Sequence, residues 1–273
     1  MDQPDRYAVI GHPVAHSKSP EIHACFAAQT RQNLIYERLL APLDGFVDSV
    51  RRFIQAGGRG ANVTVPFKLE AHALATALTE RARSAGAVNT LKFDNGVILG
   101  DNTDGVGLVT DIVCNAGVAV KGKRVLLLGA GGAARGVILP LLSEHPLSLT
   151  IANRTPSKAV QLAQQFSAQH ESIHADDFAA LIEPFDIIIN ATSASLVADI
   201  PPLSPSVFSK DTLAYDMMYG KEPTVFMRLA MQHGARARDG LGMLVEQAAE
   251  SFLLWRNVRP DTAAVFTQLR AKI

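Results

Sequence analysis

Short apolar runs alternate along the chain with stretches whose apolar positions recur every three or four residues, and glycine, proline or asparagine words separate them. Residues 7–10 and 35–40 read as strands, and 21–28 and 43–54 as helices. The glycine-rich word 57–60 reads as a loop, 61–68 as a short strand running into Pro66, and 69–78 as a helix. An apolar strand carrying Asn89 spans 85–91, Asn95-Gly96 marks a turn, and the polar word 100–105 leads into a helix over 106–114. After a connection over 104–123 the alternation resumes, with strands at 125–128, 147–152, 186–191, 213–217 and 235–239 and helices at 137–142, 159–166, 223–233 and 243–255. This order predicts an α/β protein of two strand-helix units.

The second unit opens on its most informative stretch. Val125 to Leu128 is apolar at every position, as a strand buried on both faces must be, and it runs into Gly129-Ala130-Gly131-Gly132-Ala133-Ala134 before a helix resumes. Gly129-x-Gly131-x-x-Ala134 fits the strand-turn-helix form in which unpaired backbone N–H groups and the positive helix end face one point, the geometry that suits a dinucleotide pyrophosphate. A Rossmann-like domain is expected. In such folds the next strand ends in an acidic residue when the cofactor is NAD, because the carboxylate accepts from the ribose hydroxyl and repels a phosphate there. Here the strand ends in Asn153-Arg154-Thr155, with Lys158 close behind. A guanidinium pairs with a phosphate through two hydrogen bonds, so NADP is the predicted cofactor.

Composition narrows the function classes. The 273 residues carry 26 basic and 26 acidic side chains, a formal net charge of zero, which argues against a general nucleic-acid or anionic-membrane binder. Cys25 and Cys114 are far apart and the only cysteines, so neither a disulfide framework nor a zinc site is supported, and no metal is expected. Residues 1–6 carry charge where a signal peptide needs an apolar core, and no run approaches the ~18 apolar residues of a membrane span. A cytoplasmic protein is expected.

Four polar words precede the glycine turn. In Gly11-His12-Pro13-Val14-Ala15-His16-Ser17-Lys18-Ser19-Pro20, either serine could cap the helix that follows. In Asn62-Val63-Thr64-Val65-Pro66-Phe67-Lys68, strand alternation sets Asn62 and Thr64 on one face and leaves the lysine beyond the strand end, where α/β sites collect reactive groups. Gly86-Ala87-Val88-Asn89-Thr90 and Asp101-Asn102-Thr103-Asp104-Gly105 complete the set; either aspartate could be a helix cap.

Together with the NADP turn, these words resemble the shikimate dehydrogenase family over nearly the whole chain. The resemblance implies an N-terminal substrate-binding domain of residues 1–104 plus 241–273, a Rossmann-like NADP-binding domain of residues 105–240, and a deep cleft between them. It implies reversible NADPH-dependent reduction of 3-dehydroshikimate to shikimate, in the chorismate route to aromatic amino acids. By the same resemblance Ser17 and Ser19, with Tyr215, would bind the substrate carboxylate; Asn62, Thr64, Asn89, Asp104 and Gln247 would hold the ring hydroxyls; and Lys68 and Asp104 would form the catalytic pair. Gly129, Ala130, Gly131, Gly132 and Ala133 would meet the pyrophosphate, Asn153, Arg154, Thr155 and Lys158 the adenosine phosphate, and Thr192, Met217 and Gly240 the nicotinamide half. The family usually has a glycine near Ser195, which this chain lacks.

The chemistry agrees with these residue types. Hydride delivery to a ketone leaves a developing alkoxide, which an ammonium can both stabilise and protonate. A substrate with one carboxylate and several hydroxyls calls for Ser, Thr, Asn and Gln, and no metal is needed. Two other readings stay open at this point, a quinate/shikimate dehydrogenase of dual specificity and a non-catalytic NADP-binding regulator. The expected partner is the small-molecule substrate alone, with no nucleic acid and no membrane, in a monomer or a homodimer.

Overall fold

The computed structural model describes residues 3–168, 170–192 and 201–273; Ser193 and Ser195, named above, lie outside them. The chain divides into two compact units, Met1–Gly107 with Leu244–Lys272, and Leu108–Met243. The first is built on six strands, β1 (Asp5–Gly11), β2 (Leu34–Leu40), β3 (Gly58–Val63), β4 (Ala77–Leu78), β5 (Thr90–Asp94) and β6 (Val97–Asp101), in the spatial order β2-β1-β3-β5-β6-β4. Only β5 runs against its neighbours, pairing antiparallel with β3 and β6. As a result β1, β3 and β6 all end, and β5 begins, at one end of the sheet, which is where a strand-helix protein collects its polar groups. The helices of this part are α1 (Ser19–Thr30), α2 (Phe46–Gln55), α3 (Lys68–Leu74) and α4 (Glu80–Ala85), followed by α5 (Asp104–Thr110) at the junction.

The second unit holds a wholly parallel sheet of β7 (Arg124–Leu128), β8 (Ser148–Ala152), β9 (Ile173–Ala175), β10 (Ile187–Asn190), β11 (Leu213–Asp216) and β12 (Arg236–Asp239). Its order, β12-β11-β10-β7-β8-β9, reverses direction at β7, so the loop after β7 opens at the point where such sheets bind ligands. Helices α6 (Gly132–Ser143), α7 (Pro156–Ser167) and α8 (Val225–Gln232) connect the strands. The apolar run of β7 divides by alternation: Val125 and Leu127 enter one core cluster, and Leu126 and Leu128 the other. Helix α9 (Leu241–Arg256) then carries the chain into the first unit, which α10 (Ala263–Arg270) completes.

Several elements differ from their sequence reading, each for a tertiary reason. The expected loop at 57–60 is the start of β3: a Cβ on Gly58 would lie 2.5 Å from the Phe53 ring, and one on Gly60 2.5 Å from the Trp255 indole nitrogen. Glycine serves there to let rings cross the sheet rather than to make a turn. The expected helix over 69–78 stops at Leu74, because Thr76 donates its N–H to Ile98 O at 2.8 Å and draws Ala77 and Leu78 onto the edge of β6. Thr79 then caps α4, accepting from the Ala82 N–H, and Gly86, at φ 61, closes it. Asn89 therefore sits ahead of β5 instead of within a strand over 85–91. The Asn95-Gly96 turn is present, with both φ angles positive, 47 and 81, as a tight β5–β6 hairpin requires. The helix predicted over 106–114 finishes as a π-helical turn, Asp111–Asn115.

Candidate functional site

In the first unit the polar words converge at the strand ends. Lys68 opens α3 and Asp104 opens α5, and Lys68 Nζ donates to Asp104 Oδ2 at 2.6 Å. The other carboxylate oxygen accepts from Asn89 Nδ2 at 2.8 Å. Asp104 is thus held by an ammonium and an amide, while Lys68, with 23 % of its side chain exposed, remains accessible. Gln247 on α9 approaches from the other side, its Oε1 3.4 Å from both Asn89 Nδ2 and Thr103 Oγ1.

A second aspartate holds the segment before Asp104. The Asp101 carboxylate is fully buried and accepts from Arg81 twice, at 2.7 and 2.5 Å, from Thr79 Oγ1 at 2.6 Å and from the Asn102 N–H at 2.8 Å. Burial pushes its pKa up, and the Arg81 guanidinium with these hydrogen bonds outweighs it, leaving the carboxyl below its usual range. Asp101 is therefore a structural anchor rather than a reacting group.

Asn62 and Thr64 share a face but have different surroundings. Asn62 is buried: its Oδ1 accepts from the Tyr36 hydroxyl at 2.8 Å, and its amide donates to Ser251 Oγ at 2.9 Å and Thr90 Oγ1 at 3.1 Å. Its hydrogen bonds are made to the protein, so Asn62, expected at a ring hydroxyl, instead backs the residues of the site. Thr64 is partly exposed, with its N–H bonded to Ile10 O. Its methyl fills the space that a side chain at residue 11 would need, since a Cβ on Gly11 would lie 2.4 Å from Thr64 Cγ2. In the serine loop, Lys18 takes the cap position of α1 and makes no side-chain cap bond, so neither serine is the cap. Ser17 Oγ instead accepts from the Ser19 N–H at 3.3 Å, and Arg38 holds the Ser17 carbonyl with donors at 2.6 and 3.2 Å.

In the second unit the glycine turn has the features that a pyrophosphate needs. Gly129, at φ 110, takes the left-handed conformation after β7, and a Cβ on Gly131 or Gly132 would project into open space. Gly131 is the cap residue of the twelve-residue α6 and offers no side chain to its first N–H groups. The Gly129 N–H is bonded to Ala152 O at 2.8 Å, and the turn that follows, from Ala130 to Ala133, presents the donors of a helix start. Arg154 and Lys158 are exposed at the end of β8 and the start of α7, and Asn153 Nδ2 bonds Thr155 O at 2.9 Å, shaping that loop. Thr192 donates its hydroxyl to Asn190 Oδ1 at 2.7 Å. Met217 N–H bonds Asn190 O at 3.0 Å, and Gly240 packs so closely that a Cβ there would lie 2.2 Å from Met217 O. The residues present therefore fit a dinucleotide, with cations where an adenosine phosphate would lie.

The place of Tyr215 also differs from the expectation. Tyr215, expected at the substrate carboxylate, is fully buried in the core of the second unit, where its hydroxyl donates to Asp111 Oδ2 at 2.8 Å. Burial, with the Asp111 charge beside it, pushes its pKa well up. Asp111 also accepts from Arg238 at 2.8 and 2.5 Å, so the tyrosine belongs to a structural cluster. Four residues on, beyond the end of β11, Tyr219 is only partly buried, and its hydroxyl has no hydrogen-bond partner among the described residues. The signal for it was available: Tyr215 lies inside an apolar strand, whereas Tyr219 lies in the loop after it. Among the described residues, no group of three or more His, Cys, Asp or Glu is placed to hold a metal, and no helix is long and apolar enough to cross a membrane.

Three known domain families match successive stretches of the chain. Residues 9–91 match the shikimate dehydrogenase substrate binding domain, residues 112–198 the shikimate/quinate 5-dehydrogenase family, and residues 240–270 the shikimate 5'-dehydrogenase C-terminal domain. The NADP(+) shikimate dehydrogenase of Janthinobacterium sp. (strain Marseille) is 71 % identical over 269 residues, 98 % of each chain. Among solved structures, an Ael1 enzyme from Pseudomonas putida superposes with a TM-score of 0.93 at 51 % identity, covering 97 % of this chain and 98 % of that one. A shikimate 5-dehydrogenase from Thermus thermophilus, solved with NADP(H) and shikimate, gives 0.88 at 33 % identity over 98 % of this chain and all of its own. With its substrate words, its glycine turn and this degree of identity along almost its full length, the chain belongs to the NADP-dependent shikimate dehydrogenase family.

Proposed function

We propose that this chain catalyses the reversible NADPH-dependent reduction of 3-dehydroshikimate to shikimate, in the chorismate route to aromatic amino acids. The observation that carries the reading is the Lys68–Asp104 pair at 2.6 Å, partly open and surrounded by amides and hydroxyls rather than by further charges. That is the donor set for a polyhydroxy ketone, and the high identity to enzymes named for this reaction supports it. On this reading the unit Met1–Gly107 with Leu244–Lys272 binds the substrate, and Leu108–Met243 binds NADP.

The roles follow from the chemistry of each group. Bound NADPH supplies the hydride. As the substrate carbonyl oxygen gains charge, Lys68 Nζ delivers a proton to it, and in the reverse direction the neutral amine takes that proton back. Asp104 keeps the ammonium in place through Oδ2 and accepts from the neighbouring substrate hydroxyl. Asn89 and Gln247 hold the ring hydroxyls, Thr64 adds a further contact, and Asn62 supports them from behind. Ser17 and Ser19 take the carboxylate, with Tyr219 as the tyrosine available to assist. Gly129 shapes the turn and the amides from Ala130 to Ala133 would receive the pyrophosphate; Arg154, Lys158, Asn153 and Thr155 would receive the adenosine phosphate; Thr192, Met217 and Gly240 would border the nicotinamide half. All of these groups come from one chain, so a monomer suffices, and the cytoplasm is the compartment that suits a reaction drawing on NADPH.

The test is a side-by-side assay of shikimate- and quinate-dependent reduction of NADP+ and NAD+ by the purified protein. Shikimate with NADP+ is expected to be preferred. Comparable rates with quinate and NAD+ would favour the dual-specificity reading, and NADP binding without turnover a regulator.

A further inference from the structure

A pair of buried hydroxyls lies behind the catalytic residues and touches three of the residues assigned to the substrate site. Thr90 begins β5 and Ser251 lies one turn beyond Gln247 on α9; both are fully buried, with their oxygens 2.8 Å apart. Sheet register brings Thr90 opposite both Asn62 on β3 and Asp101 on β6. The proton inventory fixes much of the network. Asn62 Nδ2 carries only hydrogens, so it donates to Ser251 Oγ at 2.9 Å and to Thr90 Oγ1 at 3.1 Å. Ser251, whose proton could also reach Gln247 O at 3.0 Å, gives it to Thr90 Oγ1 across the shorter 2.8 Å contact. The single Thr90 proton is then available to Asn89 Oδ1 at 3.0 Å.

That last bond concerns the reaction. The two ends of a carboxamide exchange by a half-turn, and the wrong end of Asn89 would put an oxygen against the Asp104 carboxylate. The Thr103 N–H, a donor that cannot reverse, approaches Asn89 Oδ1 at 2.8 Å; of the two hydroxyls that also reach this oxygen, Thr90 at 3.0 Å is nearer than Thr103 at 3.2 Å. With its oxygen held there, the Asn89 amide points at Asp104 Oδ1 at 2.8 Å, and Asp104 keeps Oδ2 for Lys68. We propose that Thr90, backed by Ser251, is a positioning residue for this reaction: it locks the Asn89 carboxamide so that Asp104 is held toward Lys68. This rests on the reaction proposed above.

The test replaces Thr90 with valine, which keeps the shape and deletes the hydroxyl, and with serine, which keeps the hydroxyl. Shikimate-dependent NADP+ reduction is measured on folded protein normalised by NADPH-binding stoichiometry. The valine variant is expected to lose kcat by about tenfold or more, in keeping with the sensitivity of catalysis to small misplacements, with its KM for NADP+ unchanged; the serine variant is expected to recover most of the loss. Equal losses in both variants, or a valine variant that is less heat-stable but turns over normally, would overturn the proposal. If the valine variant does not fold, Ser251→Ala is read instead: a fall in kcat at constant KM for NADP+ supports the proposal, and wild-type kcat overturns it. A wild-type protein without shikimate turnover would remove the reaction reading and this inference together, whereas wild-type turnover with an unimpaired valine variant removes only the inference.

Discussion

Replacing Lys68 with methionine removes the ammonium and keeps most of the side chain's volume. Asp104 then retains the Asn89 donor at 2.8 Å and loses the one at 2.6 Å. The lysine side chain is 23 % exposed and the aspartate 10 %, so water can reach the vacated position. The stability cost is accordingly small, about 1 kcal/mol, in the range of a partly solvated pair. The kinetic cost is larger. Deleting a general acid slows the chemical step by about 10²–10⁴, equivalent to about 2.7–5.4 kcal/mol on the barrier. The assay pairs initial rates of shikimate-dependent NADP+ reduction with NADPH titration of the same preparation and a melting curve. The expected variant melts near the wild type, binds NADPH normally and has lost at least about a hundredfold in kcat. Turnover close to wild type would refute the proton-donor role. A fall in kcat matched by an equal loss of NADPH binding would also refute it, since the defect would then lie in folding or cofactor affinity.

Three further outcomes follow from single residues. Arg154→Ala is expected to weaken NADPH binding while leaving NADH binding nearly unchanged; losing a hydrogen-bonded charge partner is worth about 1.5–3 kcal/mol, and equal weakening of both by titration would sink the phosphate assignment. Gly11→Ala puts a Cβ 2.4 Å from Thr64 Cγ2, an overpacking cost of about 1–3 kcal/mol, so the KM for shikimate should rise with that for NADP+ constant; a substrate KM equal to wild type would contradict it. His23 is fully buried, stacked on Tyr36 at 4.2 Å, and neither ring nitrogen has a hydrogen-bond partner among the described residues. Burial pushes its pKa down to about 3 from 6.5, and the nearby Asn62 carboxamide opposes this only in part. The unfolded chain therefore binds the extra proton first, and stability falls as pH drops below 6.5 until the folded-state value near 3 is reached, by up to about 5 kcal/mol. Chemical denaturation across that range should show a shallower acid slope for His23→Phe, whatever its offset at neutral pH; parallel slopes would refute the account.

The parts of this protein that could be read from sequence are those whose signal is local. The four apolar residues of β7, the glycines after it and the basic end of β8 lie within about one βαβ unit, and each states its requirement through its neighbours: burial on both faces, backbone donors, a cation for a phosphate. Lys68 is likewise marked by its position beyond a strand end, whereas Asp104 reads locally as a possible helix cap and is singled out only by the family resemblance. The misread elements owe their form to partners far along the chain. Gly58 and Gly60 look like loop residues until Phe53 and Trp255 are laid across them, and residues 77–78 look helical until Ile98 O claims the Thr76 N–H. Tyr215 illustrates the same limit from the other side: its strand context already pointed inward, and the partner that explains it, Asp111, lies 104 residues away. Thr90 and Ser251 are 161 residues apart, and no spacing rule joins them. What joins them is the arithmetic of hydrogen-bond donors and acceptors among buried groups, where Asn62 can only donate from its nitrogen and Asn89 has to keep its oxygen away from a carboxylate. The residues proposed for the chemistry can therefore be found as words, but the residues that set their orientation emerge only when the buried protons are counted in the folded chain.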